Sequence, residues 1–212
     1  MRPRAVADAG RVGTGSAKGI RLRAPGDGTR PLGDRVKQAL FAMIESELGD
    51  AWPAPFLDLF AGSGAAGIEA LSRGAPRCVL VERDGRAADV IAENLRRAGF
   101  GRETQASRRS AWVVRSDVVR FLGRPAGGGE GLFGAVLLDP PYGDAAMLPA
   151  LRLLADPVGG WLAPGALVVA KHFWRDQPPP AVAALHTRRT RRFGETMLTF
   201  YAHEGHSEAP EP

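Results

Sequence analysis

The chain has 212 residues, 44% hydrophobic, and its 28 Lys and Arg exceed its 23 Asp and Glu for a formal charge of +5. That length suits one domain with a small appendage, and no stretch approaches the roughly 20 consecutive apolar residues of a membrane helix. The opening MRPRAVADAG lacks the apolar core of a secretory signal, and a single cysteine, Cys78, excludes internal disulfides and cysteine-cluster metal sites, so a cytoplasmic protein without a metal is expected.

The basic charge is clustered. Residues 1–41 hold nine Lys and Arg against Asp8, Asp27 and Asp34, and HTRRTRRF adds Arg188, Arg189, Arg191 and Arg192. Such patches suit a polyanion partner, because phosphate neutralisation drives affinity and steers encounter.

In chain order, residues 1–10 are expected to form a flexible leader. RVGTGSAKGIRLRAP, residues 11–25, predicts a small hairpin around a Gly/Ser/Lys turn. A helix follows, with Asp34 as its cap and Val36, Leu40, Met43, Ile44 and Leu48 at helical spacing. AWPAP breaks it. From Phe56 the pattern alternates: FLDLF a strand, AAGIEALSRGA a helix, CVLVE a strand, and RAADVIAENLRRAG a helix with Ala87, Val90, Ile91 and Leu95 inward. WVVR, DVVRFLG and FGAVLLD continue as strand, short helix and strand; AAMLPALRLLAD is helical despite Pro149; ALVVAKHF is a fifth strand; PPPAVAAL reads as a short helix; and HTRRTRRFG with ETMLTFYAH closes as an antiparallel pair. Strands separated by helical segments of this length build βαβ units and a parallel sheet. PAGGGEGL, residues 125–132, reads as a flexible loop and residues 203–212 as a disordered tail.

The first βα junction carries chemistry. Gly62, Gly64 and Gly67 form G-x-G-x-x-G after a strand and before a helix, and Glu82 ends the next strand where an acid holds ribose hydroxyls. The loop alone serves NAD(P) as well as S-adenosylmethionine (SAM). Asp58, at the end of the first strand, favours SAM, since a carboxylate attracts its ammonium and sulfonium and repels a pyrophosphate. Phe60 offers a ring edge, and Asp117, before a short helix, can accept from an adenine amino group or cap the helix.

LLDPPYGD, residues 137–144, ends the fourth strand on an acid, two prolines and an aromatic ring. A nucleobase amine is a poor nucleophile, because its lone pair is delocalised into the ring. Acceptors on both N–H bonds free that pair; Asp139 supplies one and the Pro140 carbonyl the other. Residues before proline are confined to extended backbone, and Pro140 and Pro141 have fixed φ and no N–H, so that carbonyl stays out of the local turn. Tyr142 can stack on the base. The motif serves guanine and adenine amines alike.

With these residues quoted, the chain resembles the class I SAM-dependent amino-methyltransferases, and within them the D-type bacterial enzymes that methylate guanine N2 in small-subunit ribosomal RNA. The resemblance runs through RPLGDRVKQALF, LDLFAGSGAAGIEALSRGA, LVERD, VLLDPPY and RRFGETMLTFY. It implies a Rossmann-like α/β fold with a seven-stranded, mostly parallel sheet, helices on both faces, and an N-terminal hairpin and helix over residues 11–50 that hold RNA ahead of a methyltransferase domain over 51–202. It implies methyl transfer from SAM to the N2 amine of one guanine in 16S rRNA, on the 30S subunit or an assembly intermediate, by a monomer. A DNA or RNA adenine-N6 methyltransferase is the alternative. On this resemblance Lys18, Arg21, Arg30 and Arg35 are the expected RNA contacts. The chain departs from the family at Leu32, where a threonine is usual, and at Lys171, where a glutamate is.

Overall fold

A computed structural model describes residues 8–26, 32–101, 110–126 and 132–203. Two short strands, β1 (Asp8–Arg11) and β2 (Arg21–Arg23), pair antiparallel, and α1 (Asp34–Leu48) follows. The main sheet is built from β3 (Phe56–Leu59), β4 (Arg77–Glu82), β5 (Ser110–Arg115), β6 (Phe133–Leu138), β7 (Leu162–Phe173), β8 (Ala181–Val182), β9 (Leu185–Phe193) and β10 (Thr196–His203). Its order is β5-β4-β3-β6-β7-β10-β9-β8. The first five of these run parallel, and β10, β9 and β8 are antiparallel to their neighbours.

Four helices make the crossovers: α2 (Ala65–Ser72), α3 (Gly85–Arg97), α4 (Val118–Leu122) and α5 (Met147–Ala155). Strand alternation divides the core in two. Phe56, Leu80, Leu137 and Val169 face α1, α2 and α3, through Phe41, Ile68 and Ile91 among others. Leu57, Leu59, Val79 and Val168 face α4 and α5, through Phe121 and Leu151. All four residues of β3 are buried, as a central strand covered on both faces requires. The result is the Rossmann-like α/β fold, with helices on both faces. No helix among the described residues is long and apolar enough to cross a membrane.

The hairpin and α1 are pinned to this sandwich by buried polar groups. Glu69 of α2 is fully buried and accepts from Gly13 N (2.7 Å), Thr14 N (3.1 Å) and Arg73 Nε (2.8 Å). The equally buried Lys37 lies 3.6 Å from Glu69 and donates to the Arg11 carbonyl at 2.5 Å. Asn94 of α3 donates to the carbonyls of Arg23 and Ser63, both at 2.9 Å, and accepts from Arg23 N at 2.9 Å. That one side chain joins the end of β2 to the glycine loop. Gly15 has φ +87°, and a Cβ there would lie 1.9 Å from the Ser72 carbonyl oxygen, so the turn can rest on α2 only as glycine.

Four sequence expectations change. The leader and tail are trimmed: β1 starts at Asp8, inside the stretch 1–10 expected to be flexible, with Ala9 buried, and β10 runs to His203, the first residue of the expected tail. PPPAVAAL is not a helix: Pro178, Pro179 and Pro180 remove consecutive donors, and the five residues left are too few to sustain one. Instead Ala181–Val182 adds β8 to the edge, Ala183 turns the chain at φ +48°, and the sheet gains an eighth strand. Pro179 and Pro180 contribute carbonyls, to the Tyr201 hydroxyl (3.0 Å) and to Thr187 N (2.8 Å). Asp34 does not cap α1; it is the first helical residue after Gly33, and its carboxylate accepts from Arg11 N and lies 3.5 Å from the Lys37 ammonium. The strand expected to begin at Ala166 begins at Leu162, with Gly165 (φ +71°) in an irregular stretch where five β7 steps oppose two of β6. Pro149 is tolerated because α5 starts at Met147, which puts the proline in a first turn whose N–H groups have no helical partner.

Candidate active site

Strand order reverses between β3 and β6, whose successors lie on opposite sides of the sheet. At such a switch point the loops after the two strands diverge and leave a crevice at the carboxyl ends. Here it is a cavity of about 770 Å³, lined by Asp58, Phe60 and Gly62 of the first loop, by Glu82 and Asp117, and by Asp139, Pro140 and Tyr142.

The glycine loop is shaped by backbone demands. Phe60 leaves β3 at φ +64°, Gly62 has φ +56°, and Gly64 caps α2 at φ +76°. Gly67 answers a different need, since a Cβ there would meet Leu80 Cδ2 at 2.6 Å and Cys78 Sγ at 2.8 Å. Cys78 is therefore the buried spacer expected of a small hydrophobe, and burial, with Asp58 nearby, pushes its thiol well up. Gly64 faces Ile91 and Leu80 and is not part of the cavity wall. Its part is to start the helix.

Two acids hold this loop. Asp58 Oδ2 accepts from Gly67 N at 2.8 Å and Glu82 Oε2 accepts from Gly62 N at 2.8 Å, while Glu82 Oε1 accepts from Asp84 N at 2.9 Å. Asp58 is only 2% exposed. Burial raises its pKa well above the ordinary carboxylate value, the Gly67 N–H opposes the rise, and Asp139 and Glu82 add to it. Asp139 and Glu82 are thus near enough for Asp58 to feel their charge. Asp117 stands at the exposed end of the cavity and caps α4, accepting from Arg120 N at 3.0 Å.

Opposite the loop, Asp139 follows β6 and donates its N–H to Leu59 O at 3.2 Å, which ties both strand ends together. Its carboxylate forms an ion pair with the Lys171 ammonium; the two side chains are 19% and 14% exposed. Burial raises the Asp139 pKa and outweighs the opposing pull of Lys171. The tight turn that follows hydrogen-bonds Asp144 N to Pro141 O at 3.0 Å, with Gly143 at φ +77° as a type II turn demands. The acceptor in that turn is Pro141 and not Pro140. Tyr142 is 41% exposed, and its hydroxyl shares a 2.8 Å hydrogen bond with Thr196 Oγ1. The Lys171 ammonium lies 5.2 Å from the Tyr142 ring centre.

Two contributors carried no assigned role in the sequence. Lys171 stood out only as a departure. In register it follows Ala170, the partner of Leu138, so it sits beside Asp139 by parallel pairing. The β9–β10 turn, with Gly194 at φ +60°, puts Phe193, Gly194, Glu195 and Thr196 in the cavity wall. Of the expected RNA residues, Lys18, Arg21 and Arg35 do not line the cavity. Lys18 is exposed in the hairpin turn, Arg21 is exposed and paired with Asp8 at 3.3 Å, and Arg35 is exposed in the first turn of α1. Arg30 lies outside the described residues. Leu32 is buried in the wall, alongside Gly33 and Val36, so the start of α1 frames the cavity mouth. His172 is buried, with Nδ1 donating to Phe173 O and Nε2 bonded to Thr199 Oγ1. Among the described residues, no group of three His, Cys, Asp or Glu could hold a metal.

Comparison with known proteins fits this geometry. The model of a family described as Conserved hypothetical protein 95 matches residues 10–202. The Ribosomal RNA small subunit methyltransferase D of Escherichia coli K12 is 32% identical over 94% of this chain and 92% of its own. The chain belongs to this family. YlbH of Bacillus subtilis (strain 168) is 37% identical over 92% of this chain and 100% of its own. Among solved structures, yhhF of Escherichia coli superposes with a TM-score of 0.72 at 32% identity, covering 92% of this chain and 98% of that one. The rRNA methyltransferase aviRa of Streptomyces viridochromogenes, at 18% identity and a TM-score of 0.62, shares the fold. The family match spans the hairpin as well as the sandwich.

Proposed function

We propose that the protein transfers a methyl group from SAM to the exocyclic N2 amine of a guanine in 16S rRNA. The observation that carries this reading is a single cavity onto which Asp58 and Glu82 open from one side and Asp139, Pro140 and Tyr142 from the other. Family membership supports the substrate class, since the Escherichia coli relative is named for small-subunit ribosomal RNA. The reading includes action in the cytoplasm, on the 30S subunit or an assembly intermediate, by a monomer, with the hairpin and α1 (Lys18, Arg21, Arg30, Arg35) contacting RNA.

The residues present fit SAM. Asp58, Glu82 and Asp139 raise the cost of negative charge in a shared cavity, and a cationic ligand relieves it. About 770 Å³ is ample for a cofactor with a base beside it. Asp58 and the loop from Phe60 through Gly62, shaped by Gly64, would hold the methionyl end, Glu82 the ribose hydroxyls and Asp117 the adenine amine. When bound, SAM supplies the methyl as a sulfonium-linked electrophile.

The chain's own residues prepare the nucleophile. Tyr142, tethered through Thr196, gives the base a fixed face. The amine donates one N–H to Asp139 and the other to the Pro140 carbonyl, which localises its lone pair. Asp139 must be ionised to accept, and the incoming N–H takes the place that Lys171 holds. As the N–C bond forms, the amine gives up one proton, for which Asp139 is the nearest base. Positioning supplies much of the rate, because the leaving group is already activated.

To test this, radiolabelled SAM is incubated with the protein and unmodified 16S rRNA or 30S particles. Label is expected in RNA, and Asp139→Ala should abolish transfer while SAM still binds. Label in duplex DNA and none in RNA would sink the proposal, and near-normal turnover by Asp139→Ala would remove Asp139 from the mechanism.

A further inference from the structure

A row of aromatic rings leads out of the cavity. Tyr142 lies 5.8 Å from Phe173, and Phe173 lies 6.0 Å from Trp174, centre to centre. Trp174 is held to the turn that closes the cavity, its backbone N–H donating to Glu195 O at 2.9 Å. Two guanidinium groups rest against its ring, Arg192 Cζ at 4.0 Å from the centre and Arg175 Cζ at 4.9 Å. Arg192 is fixed a second time, by Nε donating to Gly194 O at 2.8 Å.

Two other arginines of β9 differ. Arg188 and Arg189 are committed to Glu47 of α1, at 3.0 and 3.5 Å. Arg175 and Arg192 are exposed and make no ion pair among the described residues. An arginine stacked on an indole keeps its charge and the N–H edges of its plane, having lost much of the freedom that binding would otherwise remove. Two such groups on one ring match the oxygens of a phosphodiester, which arginine grips in bidentate fashion.

We propose that Arg175 and Arg192, braced by Trp174, form a phosphate clamp for the RNA strand flanking the base that stacks on Tyr142. This rests on the RNA-methylating function proposed above and adds to it a second RNA contact, separate from the N-terminal hairpin. Arg175 and Arg192 bind phosphate directly; Trp174 is a positioning residue.

The test is binding of the full-length protein to unmodified 16S rRNA transcript across a salt series, with methyl transfer measured in parallel. Each phosphate neutralised on single-stranded RNA adds about 0.7 to the slope of log affinity against log salt, so losing the clamped phosphate in Arg175→Ala/Arg192→Ala should lower that slope by about 0.7. KM for RNA should rise while kcat at saturating RNA and SAM affinity stay at wild-type values. Trp174→Ala should act in the same direction, and Trp174→Phe should recover most of the slope by restoring a ring under the guanidiniums. An unchanged slope and KM in the double variant overturns the clamp, even where methyl transfer is robust. A lowered slope in a protein that transfers no methyl upholds the clamp and instead defeats the proposed reaction.

Discussion

Replacing Lys171 with methionine separates two effects that its ammonium exerts on Asp139. The carboxylate is raised above its ordinary pKa by burial, and Lys171 is the group that opposes the rise. A charge pair in contact near a protein surface is worth about 4 kcal/mol at an effective dielectric constant of about 20. With the side chains still 19% and 14% exposed, screening by water leaves on the order of 1–2 kcal/mol of this. The sign follows from the direction: without Lys171 the carboxyl is protonated at higher pH, so activity is lost sooner as pH falls. On the acid side, kcat/KM of Lys171→Met should therefore drop by about fivefold to thirtyfold. At alkaline pH the variant should match or exceed the wild type, because nothing competes with the substrate amine for Asp139. The assay is a pH–rate profile with labelled SAM and 16S rRNA. An equal fall at every pH would show a merely structural lysine, and an unchanged acid limb would refute the coupling.

Asp58→Asn should raise thermal stability at neutral pH while weakening SAM binding. Its folded-state pKa lies above the unfolded value, so the native protein loses stability as pH rises through that window, and a neutral amide removes the loss; a neutral-pH melt that does not rise would contradict this. Lys37→Met leaves Glu69 buried without its ammonium and should cost about 3–5 kcal/mol. At about 2–4 °C per kcal/mol for a chain of this size, the midpoint should fall by about 6–20 °C in calorimetry. A fall of under about 2 °C would mean that Arg73 alone satisfies Glu69.

Legibility in the sequence followed the range of the interactions involved. The βαβ alternation, the glycine loop and the Asp139–Tyr142 frame depend on neighbours in the chain, and each lies where its local pattern put it. PPPAVAAL failed because five small apolar residues after three prolines carry no period that separates helix from strand, and pairing to β9 decided the outcome. Lys171 and the Phe193–Thr196 turn belong to the site through registers across the sheet. Those registers depend on an irregular stretch at Gly165 that no spacing in the sequence reveals. Lys37 read as one more basic residue and is instead buried against Glu69, thirty-two positions away, a pairing fixed only once the hairpin docks on α2.

The most direct test of the proposed reaction is nucleoside mass spectrometry of 16S rRNA after incubation with the protein and SAM. N2-methylguanosine, formed at one position and missing with Asp139→Ala, is the predicted result. N6-methyladenosine in its place, or no methylated nucleoside in RNA from either naked transcript or 30S particles, would contradict it.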